Sequence, residues 1–151
     1  LAKSFPNAPQ AAYRYYLEGA KVLPVVPRLA AVSYRVCLES IMRELGYSND
    51  RLADRIDALT TDTKRHVPSQ IVDTLASLKD AGNIASHDSR DIAANVIEID
   101  QDEVELCKTA IEMMFDEFWE RPKKLDVMKG VAAKKTAWSK GKRAAKKGST
   151  N

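Results

Sequence analysis

Few residues in this sequence are equipped for chemistry, and they fall into three groups. The first is the turn-like end of SLKDAGNIASH (Ser77 to His87), where His87 follows Asn83 by four residues. An imidazole titrates near neutrality, so His87 is a candidate general base with Asn83 as a polar companion. The same residues have a structural use: Gly82 would end a helix, and Asn83 and His87 would bond the backbone groups left open there. The second group is Arg35, Glu39 and Arg43, which spacing by four puts on one helix face. It reads either as a polar patch facing the Asn83/His87 turn or as a solvated row of ion pairs. The third is the run of Lys134, Lys135, Lys140, Lys142, Arg143, Lys146 and Lys147 around Trp138. Cations neutralise phosphates and an indole stacks on a base, so weak, non-specific contact with RNA or DNA is expected, against a solvated tail as the alternative.

The remaining candidates are weaker. His66 is a lone histidine in a polar connection. Cys37 and Cys107 have no Cys or His at metal-ligand spacing, so no metal site and no cofactor is implied. Both lie in helical patterns and read as small core residues of a reducing compartment.

Helices must position these groups. Asn7 and Pro9 open a first helix running to Val22, with Asn7 as its cap, and the prolines of LPVVP (Leu23 to Pro27) break it. Leu29, Val32, Val36, Ile41 and Leu45 give a second helix its stripe, widened by Cys37 and Leu38, and Gly46 stops it. Ser48, Asn49 and Asp50 are cap candidates for a short helix with Leu52, Ile56 and Leu59 on one face. Pro68 opens a fourth, buried through Ile71, Leu75 and Leu78. HDSRD (His87 to Asp91) reads as a link, and NVIEID (Asn95 to Asp100) as a short extended segment at most. Asp100 with Glu103 resembles a capping box. The helix beyond is the clearest: Val104, Cys107, Ile111, Met114 and Phe118 step by three and four, flanked by Met113, Phe115 and Trp119. Core is the expected fate of most of these, with Trp119 the best interface candidate. Arg121-Pro122 should end the helix.

The 151 residues suit one domain with a real core, 44% apolar and 30% charged. No stretch approaches a membrane span, and LAKSFPNAPQ has no apolar signal core. Charge is divided. From Arg121 onward lie eleven of the 24 Lys and Arg but one of the 21 Asp and Glu, a net +10 that leaves −7 on the first 120 residues. The expected organisation is an all-α domain over residues 1–122, about five helices in an up-and-down bundle, followed by a basic tail over 123–151. With little apolar content, that tail is expected to be disordered.

SYRVCLESIMRELG (Ser33 to Gly46), followed about forty residues later by the GN-x-x-x-H of Gly82 to His87, resembles the domain-of-unknown-function family 4145. The resemblance covers roughly Pro9 to Trp119. It implies a bacterial helical domain, found alone or in restriction endonuclease subunits, and similar to the HEPN superfamily of helical bundles. HEPN nucleases pair such a His with a preceding Arg, four to six residues lying between the two, usually across a dimer. The positions that match here are Asp80, Ala81 and Gly82, and none is basic. The resemblance therefore implies a nuclease remnant rather than a complete site, because the base would lack a cation for the charge that builds on phosphate.

The expected function is a non-catalytic helical binding module in bacterial defence or nucleic-acid processing. It is expected to be cytoplasmic, a homodimer or a subunit of a larger complex, and to touch RNA or DNA through its tail. The rival is a metal-independent endoribonuclease using His87, with Lys79 or Arg90 replacing the missing Arg. A third reading is a purely structural or regulatory subunit.

Overall fold

A computed structural model describes residues 1–95 and 97–148, without the side chain of Lys147. The chain is all-helical. Its elements are α1 (Gln10–Val22), α2 (Pro27–Glu44), α3 (Leu52–Thr60), α4 (Ser69–Ala81), α5 (Ser89–Ala93), α6 (Gln101–Phe115), a π turn (Asp116–Glu120) and α7 (Arg121–Gly148). Pro27 occupies the first turn of α2, where its missing N–H costs nothing. Gly46 and Gly82 follow α2 and α4 at φ +97° and +85°, the left-handed termination that glycine adopts without strain.

Helix α2 is the hub and packs on α1, α3, α5 and α6, while α4 packs on α3 and α6. The buried set runs through all of these, from Ala12 and Tyr16 to Met114 and Phe115. The α6 stripe is buried as its spacing indicates at Val104, Cys107, Ile111, Met114 and Phe115, and Met113, Phe118 and Trp119 are half-buried against the same core. The α2 stripe is rotated from the expected one. Leu29 is 41% exposed and Val36 half-buried, while Ala30, Ala31, Tyr34, Cys37, Leu38, Ile41 and Met42 face inward. The cause is close packing with α1: a Cβ at Gly19 would collide with the Tyr34 ring.

Several local expectations are corrected. Pro9 precedes α1 with no side-chain cap; Asn7 instead donates from N and Nδ2 to the Glu120 carboxylate, at 2.7 and 2.8 Å. Arg51, not Ser48, Asn49 or Asp50, stands at the start of α3. HDSRD runs into α5, capped by Asp88, whose Oδ1 accepts from Arg90 N at 2.7 Å. No strand forms in NVIEID among the described residues, and its Val96 lies outside them.

Arg121-Pro122 does not end the long helix. Arg121 N–H reaches back five residues to Asp116 O, and the widened turn absorbs the proline that follows. Burial does stop there: Glu120 is the last buried residue among those described, and every described side chain from Arg121 to Lys146 is exposed. The tail has no packed core, as its composition indicates. Its backbone is nevertheless helical to Gly148, because Ala, Lys, Leu, Met and Arg are good helix formers and α6 supplies the nucleus.

Candidate functional site

The Gly82–His87 turn is clamped from two sides. From α6, the buried Glu103 carboxylate accepts from Asn83 N and Asn83 Nδ2 at 3.1 Å each and from Ile84 N at 2.8 Å. From α2, the buried Arg35 Nη1 donates to Ile84 O. Arg35 Nε lies 3.0 Å from Glu39 Oε1, an ion pair whose N–H is not aimed at the carboxylate. Arg43, the third member of that row, is exposed, and its side chain makes no hydrogen bond or ion pair among the described residues. The capping-box reading of Asp100 and Glu103 is half replaced. Asp100 caps α6 through a bond from Asp102 N at 3.1 Å, whereas Glu103 turns away to the Asn83 turn.

His87 is half-buried, and its imidazole makes no hydrogen bond among the described residues. The turn is held by its backbone instead, with His87 N donating to Asn83 O at 3.1 Å. A polar cleft of about 300 Å³ brings His87 together with Arg35, Arg51, Asp50, Ser86 and Asp88. Neither cation expected beside His87, Lys79 or Arg90, lines that cleft. Lys79 Nζ pairs with Asp57 Oδ1 at 2.6 Å, and Arg90 is an exposed partner of Asp88. The amide and guanidinium of Arg90 hold the Asp88 carboxyl below its usual range. The cleft's own arginines are Arg35, committed to Ile84 and Glu39, and Arg51, paired with Asp54 at 3.1 Å. Nothing in local spacing marks Arg51 as a neighbour of His87, and the spacing of Glu103 suggests only a local cap, since its partners Asn83 and Ile84 lie about twenty residues away.

Helix α7 is a different surface. Its main contact with the other elements, among the described residues, is with the π turn. Its 28 residues make an arm about 42 Å long at 1.5 Å per residue. Lys134, Lys135, Lys140, Lys142, Arg143 and Lys146 are all exposed on it, and the Lys147 side chain lies outside the described residues. Trp138 is 67% exposed, and Lys142 Nζ sits 5.0 Å from its ring centroid. With Ser139, Arg143 and Lys146 these two border a shallow depression of about 230 Å³.

Burial pushes both cysteine thiols well above their usual range; Cys37 Sγ donates to Ala12 O at 3.2 Å. Among the described residues no three His, Cys, Asp or Glu side chains converge as a metal site would require. No helix among them is long and apolar enough to cross a membrane.

No curated protein and no solved structure matches this chain. The sequence profile of one family, described as Domain of unknown function (DUF4145), matches residues 18–133, which takes in the Arg35/Glu39 helix, the Asn83–His87 turn and the first part of the arm. On that match over most of its length, the chain belongs to the DUF4145 family.

Proposed function

We propose that the protein is a non-catalytic helical module that contacts nucleic acid through α7. The observation that carries this reading is the arm itself: an exposed helix whose cations surround an exposed Trp138, beyond a body of opposite net charge. Cations on a protruding helix reach phosphates without being held by the acidic body, and contact of this kind is weak, non-specific and salt-sensitive. Replacing Lys134, Lys135, Lys142 and Arg143 by Gln tests it. Anisotropy with labelled RNA or DNA should show binding by the unmodified chain and its loss in the variant. Equal binding by both would move the contact onto the folded body. Membership of a homodimer or larger complex, in a cytoplasmic defence or nucleic-acid-processing system, belongs to this proposal on the family resemblance alone.

The endoribonuclease reading keeps one supporting observation, the shared cleft of His87, Arg35 and Arg51. Three others weigh against it. Gly82 has φ +85°, a conformation hostile to an Arg side chain. Asn83 is spent on Glu103, and both arginines are paired. The prediction is that labelled RNA stays intact with the purified protein. Cleavage abolished by His87→Ala with an unchanged melt would favour the enzyme.

A further inference from the structure

Cations are present all round the arm, and three of them share one face with its indole. Trp138 is preceded by Lys134 and Lys135, four and three residues earlier, and followed by Lys142, four residues later. Residues three and four apart are neighbours on a helix surface, so all three lysines share the face of the indole. One of them, Lys142, lies over the ring at 5.0 Å. The indole thus stands in mid-stripe, with cations on both sides along the helix axis.

Charge alone would favour a duplex. Double-stranded DNA has the higher charge density, and its binding gains about 0.9 counterions per contact against about 0.7 for a single strand. A solvent-exposed indole changes that order only if it finds an unstacked base. In a duplex both faces of each base are covered by neighbours, and extruding one costs unstacking energy. In a single strand the faces are open, and stacking on an aromatic side chain is tolerant of sequence.

Resting on the nucleic-acid reading above, we infer that the α7 stripe selects single-stranded over double-stranded nucleic acid. Trp138 stacks on an unpaired base, while Lys134, Lys135 and Lys142 neutralise the phosphates on either side. Lys142 leaves the ring for a phosphate as the base arrives.

The test uses the full chain and a fluorescein-labelled DNA of mixed sequence, offered as the single strand and annealed to its complement. Anisotropy is followed at several salt concentrations. The unmodified protein should bind the single strand roughly tenfold more tightly than the duplex, the size of one stacked base. Trp138→Ala should remove that margin and leave the duplex affinity and the salt slope unchanged, and Trp138→Phe should restore part of it. These side chains are exposed, so helical circular dichroism should be the same in all variants. Duplex binding as tight as single-strand binding, or an equal loss for both in Trp138→Ala, would overturn the selectivity. The triple variant Lys134→Gln, Lys135→Gln, Lys142→Gln separates the two claims. Weakened binding of both forms supports the arm as the site, whereas unchanged binding of both overturns the arm and the selectivity together.

Discussion

Glu103 and Asn83, twenty residues apart on different elements, are joined by two hydrogen bonds of 3.1 Å, from the backbone N and the side-chain Nδ2 of Asn83 to the two oxygens of one buried carboxylate. The asparagine that the sequence offers as a polar companion to His87 is therefore a structural donor. Glu103→Ala should strand three N–H groups at this turn and cost about 2–4 kcal/mol in denaturant melts. Glu103→Gln keeps one acceptor oxygen and should cost less. Equal stability of all three proteins would show that water serves the turn as well as the carboxylate does.

Ile111 is fully buried in the middle of the α6 stripe. Ile111→Ala removes its side chain from a packed interior and should cost roughly 2–5 kcal/mol. Chemical denaturation with an unchanged m-value checks this.

Gly19 is a packing residue. A methyl group there meets the Tyr34 ring, which has no exposed side to retreat to. Gly19→Ala should therefore lower stability by about 1–3 kcal/mol, although alanine is the better helix former. Gly130 on α7 is the control, because a Cβ at that position meets nothing within 4 Å. Gly130→Ala should leave the melting temperature of the body unchanged and raise the helical signal slightly.

Cys37 and Cys107 are both buried, with thiols raised in pKa by desolvation first and foremost. They should remain protonated and unreactive toward a thiol reagent in the native protein at pH 8, and react stoichiometrically once it is unfolded. Rapid modification of either under native conditions would place it nearer the surface than its packing indicates.

How much of this was legible in the sequence depended on the range of each interaction. The α6 stripe was readable because one face is buried along its whole length. The α2 face was misjudged because its contact with α1 is made by Ala30, Ala31 and Tyr34 against Gly19, and small residues leave a weak apolar signal. Glu103 was read as a local cap because its real partners lie in a turn that sequence distance hides. Asn7 was misread in the same way, its partner Glu120 being 113 positions away. Pro122 looked like a terminator, since a π turn just before it cannot be foreseen from residue types. The arm's cations and Trp138 were legible as composition. Their register about one exposed helix was not, because an unpacked segment has no buried stripe to mark its faces.

The measurement that bears most directly on the account is the salt dependence of nucleic-acid binding, in the whole chain and in one ending at Ala133. The whole chain should bind a single-stranded oligonucleotide with a log–log salt slope of about −3, from roughly four phosphate contacts on the arm. The shortened chain should keep its melting temperature, because burial ends at Glu120, and should lose the binding. A shortened chain that binds as tightly as the whole one, with the same slope, would contradict the assignment of the contact to residues 134–147 of α7.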